Sequence, residues 1–378
     1  MKNLTIKEKD EIYNKLHDFI KSDLIEYSYR FSEDNDIVIG PPHVFELACL
    51  AEKFNTPYIS VNYNLQIYRT NDEAPFKFSD VKDIPFDKLW DIYESLYNVS
   101  LKRIINRFRK EHEMPPAKNV FHEVVISDFL NLIPYSKHLY KAKRDWNQTY
   151  QMCGFMKSPN DYNNWEPPEA LFEFMEGEEK PVFISVGSMA EHEIDLENFQ
   201  SLLLKAAHLI SRKVIILTNW KEGNVIEDNV YKLKGFISYP VILKKCALVV
   251  HHGGVGTSHN TTEAGCPSIV IKYGHDQHFN AKVLFDAGIS NGSIDRKDLN
   301  AEELARLIND ALENKQMKKK AEELALLLQN ENGVEIAIEI IEQKINHPEF
   351  KALKIENPVL QANEDLAETH SQTITQKI

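Results

Sequence analysis

Cysteine is scarce in this sequence, and the four that occur (Cys49, Cys153, Cys246 and Cys266) are scattered with no C-x-x-C pair. That spacing excludes a disulfide framework and a cysteine-built zinc site. Positive charge is in deficit: 44 Lys and Arg face 57 Asp and Glu, a net charge of −13 over 378 residues. Such a balance offers no broad basic face to neutralise phosphates, which excludes nucleic acid as a partner. No apolar run approaches the ~20 residues that span a bilayer. The opening MKNLTIKEKDEIYNKL lacks the apolar core of a secretory signal. Internal repeats and low-complexity runs are missing too. What is there, 43% hydrophobic and 27% charged residues, is a globular composition whose length predicts about two domains. The expectation is a reduced, cytoplasmic, two-domain protein.

Helical spacing of Ile12, Leu16, Phe19 and Ile20 predicts a helix within residues 1–30. Asp36–Gly40 is a short strand stopped by Pro41-Pro42. A helix carrying Phe45, Leu47, Ala48, Leu50 and Ala51 follows, then a strand at 58–61. Strand, helix, strand at this spacing is a βαβ unit with a parallel sheet. Residues 86–112 predict one long amphipathic helix, whose basic end (Arg103, Arg107, Arg109, Lys110) reads as a solvated face favoured by the helix dipole. Glu123 and Asp128 flank a strand-like VVIS and read as surface or capping groups. Residues 157–180, rich in Pro, Asn and acid, read as a linker.

Beyond the linker the alternation is regular. Strands are predicted at 182–186, 214–218, 248–250 and 268–271. Helices are predicted at 195–211, 240–246, 257–264, 276–287 and 300–313, with one more from 318 to about 343. The fold class is therefore α/β, with a doubly wound, Rossmann-like domain that takes ligands at the C-terminal ends of its strands. The division is 1–156 for a first, partial domain, 157–180 for the linker, 181–348 for the second domain and 349–378 for a tail.

The densest chemical signal is Val249-Val-His-His-Gly-Gly-Val-Gly-Thr-Ser-His-Asn260. Gly253, Gly254 and Gly256 let the backbone turn tightly and approach a ligand closely. Thr257 and Ser258 are good helix N-caps. The helix that follows aims unpaired N–H groups and its positive dipole end at the turn, which favours a phosphate or diphosphate. This is neither a Walker loop nor G-x-G-x-x-G. For the glycines alone, a tight turn closed by Thr257 with His252 merely packed accounts for the pattern equally well. Fifteen residues after His252 comes Pro267, then a strand, then Tyr273-Gly-His-Asp-Gln-His-Phe-Asn280. Asp276 and Gln277 thus fall on the loop after the next strand, on the same sheet edge. A carboxylate beside an amide suits vicinal sugar hydroxyls, since one only accepts while the other donates and accepts.

HHGGVGT, then AGCPSIVI, then HDQHFNA together resemble the donor-binding signature of GT-B glycosyltransferases that use nucleotide-activated sugars, the UDP-glycosyltransferase superfamily (glycosyltransferase family 1). Phe183-Ile-Ser-Val-Gly-Ser-Met189 resembles the first strand and loop of that family's donor domain. Gly235-Phe-Ile-Ser-Tyr239 and Leu243-Lys-Lys-Cys246 stand where it has the nucleobase-contacting loop. Tyr68-Arg-Thr70 with Pro75-Phe76, and Arg144-Asp-Trp146 with Gly154-Phe155, are similar to the acceptor-side loop and the pre-linker segment of its sterol 3-beta-glucosyltransferase-like branch. The resemblance covers roughly residues 36–345 and is strongest at 182–290. It implies two Rossmann-like domains facing across a cleft.

The resemblance also implies roles. His252 and Thr257 hold the diphosphate, with Gly253, Gly254 and Gly256 giving backbone access. Gly187 and Ser188 reach the phosphates from the first strand's loop. Ile237 and Tyr239 lie against nucleobase and ribose, and Asp276 and Gln277 bind the sugar. Plant members carry a ribose-binding Glu where this chain has Asn260. The implied reaction is inverting transfer of a hexose, glucose first, from a UDP-sugar to a hydroxyl of a small apolar, sterol- or lipid-like acceptor. No cofactor is implied beyond the UDP-sugar as co-substrate. Transient membrane contact by an apolar acceptor is a further implication. A sugar-nucleotide binder without turnover and a dTDP-sugar-dependent natural-product transferase are the alternatives.

The main departure lies at the start. Family members open with a strand and a glycine-rich loop carrying the acceptor's general base, and no such segment precedes Asp36. By usual domain size the chain begins roughly 80–100 residues late. A late start, lost catalysis, or a partner chain supplying the missing part are the expectations that follow. His43, after Pro41-Pro42, is the candidate substitute base, a loop histidine without function being the competing account. Tyr63, Leu65, Tyr68, Phe76, Phe78, Trp90 and Tyr97 are candidates for an acceptor pocket or for core, with core the stronger reading for Trp90 and Tyr97. His251, His252, His259, His275 and His278 form no H-E-x-x-H pair, so no metal is expected.

Overall fold

The computed structural model describes residues 28–30, 32, 35–79, 81–157, 165–187, 195–274 and 276–347. Most of the helix expected within 1–30, the tail from 349, and Ser188, His275 and the Phe76 side chain lie outside the described residues. The chain packs as two units that do not follow chain order. The first takes the described residues up to Pro134, then Lys143–Cys153, then those from Glu335 onward. The second takes Tyr135–Ala142 and Gly154–Val334. The boundaries drawn from sequence were linear, whereas the packing is interleaved.

In the first unit β1 (Val38–Gly40), β2 (Tyr58–Val61), β3 (Leu130–Ile133) and β4 (Tyr150–Met152) form a parallel sheet in chain order. Helices α1 (Phe45–Lys53) and α2 (Phe86–Glu111) supply Phe45, Leu50, Ile105 and Phe108 to a core shared with Val38 and Tyr58. Two expectations fail here. VVIS is not a strand: Glu123 accepts the amides of Lys118 and Asn119, and the chain bends into a π-helical turn at Phe121–Val125 that buries Val124 and Val125. Arg109 is not solvated. It is 2% exposed, donates to both carboxylate oxygens of Glu52 at 2.6 and 2.8 Å, and donates to the Pro115 carbonyl.

The second unit holds a seven-stranded sheet in the order β11-β10-β9-β5-β6-β8-β7. Its strands are β5 (Val182–Ser185), β6 (Val214–Leu217), β7 (Val225–Glu227), β8 (Val230–Leu233), β9 (Leu248–His251), β10 (Ser268–Lys272) and β11 (Ser290–Asp295). All pairings are parallel except the β7–β8 edge hairpin. Central strands are covered on both faces, so they read as unbroken apolar runs. Val182, Ile184, Val214, Ile216, Leu248 and Val250 pack against α4 (Leu196–His208) and α8 (Ala301–Glu313). Phe183, Ile215 and Val249 face the other way, toward α3 (Glu169–Met175) and α5 (Tyr239–Leu243). Truncating a fully buried side chain such as Leu203 to Ala costs about 2–5 kcal/mol in such a core.

Helix α3 lies within the stretch expected as linker, where Leu171, Phe174 and Met175 are core. Asp195, Asn300 and Asn314 start their helices by accepting the amides of Asn198, Glu303 and Met317. The helix expected from 318 to about 343 is two, α9 (Lys315–Gln329) and α10 (Gly333–Asn346). After the break α10 opens at a close approach of two backbones: a β-carbon on Gly333 would stand 2.4 Å from the Phe155 carbonyl oxygen and 2.7 Å from that of Gly154. Helix α10 then joins the first unit, where the Lys344 ammonium lies 5.4 Å over the Phe129 ring.

Candidate active site

Strand order reverses between β5 and β9, because the chain builds outward through β6 and then returns to place β9 on the other side of β5. Ligands of open parallel sheets sit beyond the strand ends at such a switch point. Here the ends are in register, Ser185 opposite His251. The chain leaves β5 through Gly187 at φ +64° and leaves β9 through His252. A β-carbon on Gly187 would stand 2.5 Å from His252 Cε1, and one on Gly254 would stand 2.5 Å from His252 Nε2. Two absent side chains thus make the slot that holds this imidazole. Its Nδ1 is buried and has no hydrogen-bond partner among the described residues. Burial holds the ring below the usual histidine range, with the Asp276 carboxylate pulling the other way, so at neutral pH His252 is uncharged and has an N–H to donate.

His251 is fully buried and accepts the Gly253 N–H on Nδ1 at 3.1 Å, which pins the turn. Gly253 itself sits at φ +85°, with Val270 where a side chain would go. Helix α6 (Val255–Glu263) starts two residues earlier than expected. Its N-cap is Gly254, in extended conformation and offering no side chain, and its first helical bond runs from the Ser258 amide to Gly254 O. Thr257 and Ser258 therefore do not cap it, and the amides of Val255, Gly256 and Thr257 precede the first helical bond. A β-carbon on Gly256 would meet nothing nearer than Phe155 Cζ at 4.0 Å. Farther along, His259 is buried: Nδ1 lies 2.9 Å from Val255 O, Nε2 accepts the Ser136 amide at 3.1 Å, and Phe155 stacks on the ring at 4.6 Å.

Asp276 and Gln277 open α7 (Gln277–Asp286) on the loop after β10. Asp276 is half-buried and accepts from Asn280 Nδ2 at 3.2 Å. Gln277 is differently placed from the expectation of a free amide. Its Oε1 accepts the amides of Tyr273 and Gly274 at 2.6 and 3.4 Å, leaving only Nε2 to donate elsewhere. Asn280, unremarked in the sequence beyond its place in the motif, also donates to Gly253 O at 2.8 Å and accepts from the Tyr135 hydroxyl at 3.2 Å.

The loop after β8 departs further. Ile237 is 4% exposed and belongs to the core with Leu233, Ile242 and Leu243, while its neighbour Phe236 is 62% exposed. Alternation across this short segment put the outward ring one position before the residue expected to face a base. Tyr239 spends its hydroxyl on Ser185 at 2.8 Å, at the end of β5. Ser188, expected at the phosphates, lies outside the described residues.

In the first unit His43 sits exposed on the turn after β1. Leu65, Tyr68 and Trp90 are core, Tyr97 packs on Tyr93 and Phe121, Phe78 is half-buried and Tyr63 is 38% exposed. The two segments noted for an acceptor-side resemblance meet: Asp145 accepts the Thr70 hydroxyl at 2.8 Å and the Asn71 amide at 2.6 Å, and Trp146 packs 5.7 Å from Tyr68. Burial pushes the Asp145 carboxyl up, but these bonds outweigh it and hold the group below the usual range. Among the described residues no three His, Cys, Asp or Glu side chains stand close enough to hold a metal ion, and no helix is long and apolar enough to cross a membrane.

Residues 201–342 match the family described as erythromycin biosynthesis protein CIII-like, C-terminal domain. The sterol 3-beta-glucosyltransferase UGT80A2 of Arabidopsis thaliana is 28% identical over 309 residues, 80% of this chain and 47% of the relative. The sterol 3-beta-glucosyltransferase of Komagataella phaffii is 24% identical over 92% of this chain and 29% of its own length, so the chain spans half or less of these curated relatives. O-mycaminosyltylonolide 6-deoxyallosyltransferase of Streptomyces fradiae is 25% identical over 83% of this chain and 74% of its own. Among solved structures, the glycosyltransferase of kitacinnamycin superposes with a TM-score of 0.61 at 16% identity, over 90% of this chain and 81% of that one. Spinosyn rhamnosyltransferase SpnG complexed with thymidine diphosphate gives 0.56 at 16% identity, over 87% of this chain and 82% of that one. The fold is the GT-B fold of these solved glycosyltransferases, and over most of its length the chain is similar in sequence to sterol 3-beta-glucosyltransferases.

Proposed function

We propose that this chain is an inverting, metal-independent transferase that moves a hexose, glucose first, from a UDP-sugar to a hydroxyl of a lipid-like or sterol-like acceptor. The observation that carries the reading is the His252 imidazole, fixed in a slot between Gly187 and Gly254 with a buried, unpartnered Nδ1, beside a helix N-terminus that no side chain caps. An anion is the complement of that arrangement.

The acceptor oxygen loses its proton to a base and attacks the anomeric carbon from the face opposite the diphosphate. The bond between that carbon and the β-phosphate oxygen breaks, and UDP leaves with the electron pair. Negative charge therefore grows on the β-phosphate, where preorganised donors lower the barrier. His252, Thr257 and the first amides of α6 supply them. The Asp276 carboxylate and Gln277 Nε2 take sugar hydroxyls, and the exposed ring of Phe236, rather than Ile237, offers a face to the base. His43 is the candidate for the acceptor's base.

Sterol glucosyltransferase relatives support the acceptor class. An acceptor of that kind implies transient contact with a membrane, although a net charge of −13 opposes strong adhesion to anionic lipid. A dTDP-sugar donor is the second reading, favoured by the natural-product transferase of Streptomyces fradiae and by the thymidine diphosphate complex of SpnG. Turnover is the separate question, and a binder that lacks it is the third reading. Calorimetric titration with UDP and dTDP ranks the donors, and UDP release with a sterol present separates transferase from binder. A folded chain that binds neither diphosphate ends the proposal.

A further inference from the structure

We propose that Tyr135 and Asn280 form a positioning pair that holds the phosphate turn and the sugar-binding carboxylate in register, an inference that rests on the donor-site reading above. Both side chains are buried, at 1% and 2% exposure. Asn280 Nδ2 donates to Gly253 O at 2.8 Å and to Asp276 Oδ2 at 3.2 Å, so both of its N–H groups are committed. One goes to the turn after β9 and the other to the loop after β10. A single amide therefore spans the two loops that the donor's diphosphate and sugar would touch.

The orientation of that amide is over-determined. Gly253 O and a carboxylate oxygen only accept, so the NH₂ end must face them. The carbonyl end, Oδ1, then accepts the Tyr135 hydroxyl at 3.2 Å. A flipped amide would set an oxygen against two acceptors and lose its bond from Tyr135. Tyr135 is itself held firmly. It packs edge-on to His259 at 4.6 Å, and the next residue's amide bonds to His259 Nε2. It arrives on the connection between β3 and β4, from the half of the sequence that supplies no donor contact of its own. Neither residue touches the donor; each acts through Gly253 and Asp276.

Tyr135→Phe removes one oxygen from a buried ring, and Asn280→Asp replaces the donating end with an acceptor. Affinities of the full chain for UDP and for UDP-glucose are measured by calorimetry, with thermal unfolding alongside. In Tyr135→Phe the expected result is UDP affinity within about twofold of the unmodified protein and UDP-glucose affinity reduced roughly five- to tenfold, the loss of one oriented contact. Asn280→Asp follows with a larger loss of the same kind. If Tyr135→Phe weakens both ligands equally, or neither, the pair is merely structural and the inference is overturned, whether or not Asn280→Asp folds. An unmodified chain that binds neither ligand overturns the donor-site reading instead.

Discussion

Ser136 donates its backbone N–H to Nε2 of His259 across 3.1 Å, inside the second unit. With Nε2 accepting, the ring proton sits on Nδ1 and goes to the Val255 carbonyl. The imidazole is satisfied only when neutral, and burial draws its pKa down from 6.5 to about 4.

A pH dependence of stability follows. In the unfolded chain this histidine takes up a proton near its ordinary pKa of 6.5, while in the fold it resists until about 4. Stability is therefore whole above 6.5, falls as pH drops through that window, and levels off below about 4. His259→Gln should flatten the slope, recovering roughly 2–3 kcal/mol of the loss between pH 7 and 4.5. Urea unfolding at several pH values measures it, and parallel slopes in the two proteins would refute it. His251, drawn down to about 3, adds a similar slope that the variant retains.

His252→Ala should cut turnover by roughly 10²–10³-fold while changing stability little, the pattern of a lost charge-stabilising donor. UDP release and thermal unfolding are compared on the same preparation. A stability loss that matches the activity loss would mean that the ring serves packing.

The glycines of the turn should respond in opposite senses. Gly254→Ala drives a methyl into the His252 ring, and both stability and UDP affinity should fall. Gly256→Ala meets open space in the first turn of a helix, so it should stabilise the free protein by roughly 0.5–1 kcal/mol. The same methyl blocks backbone approach, and UDP affinity should drop by about tenfold. Denaturation and calorimetry on both variants would show it, and a Gly256→Ala that binds UDP normally would remove backbone access as the reason for the glycine.

Glu52→Ala removes the carboxylate from the buried guanidinium of Arg109, which keeps its bond to the Pro115 carbonyl. Because Glu52 is about half exposed, the cost should be roughly 1–3 kcal/mol, below that of a fully buried pair. Adding Arg109→Met should recover part of it. Additive losses in the double variant would contradict this account.

The second unit was largely legible because strands covered on both faces spell themselves as Val and Ile runs, as in β5, β6 and β9. The first was not. Its β4 is Tyr-Gln-Met, half-exposed throughout, and β3 follows an apolar VVIS that a glutamate bends into a turn. Strands β8 and β11 escaped for similar reasons: β8 buries Lys232, paired with Glu227 at 2.6 Å, and β11 is Ser-Asn-Gly-Ser-Ile-Asp. At the site, glycines and histidines announced a turn through local spacing alone. Asn280 and Tyr135 did not, since an amide's task is fixed by the three groups around it, and here they come from positions 253, 276 and 135. Ile237 is buried and Phe236 exposed, a one-residue difference in direction that is invisible without the backbone.

Helix α10 belongs to the unit whose strands are translated first. On the ribosome, which delivers a chain from its N-terminus, the β1–β4 sheet therefore waits for its last helix until the whole seven-stranded sheet has emerged. Of the two sheets, the one whose strands come first is finished last, and a ribosome halted after α9 would hold the seven-stranded core complete and the four-stranded one unfinished.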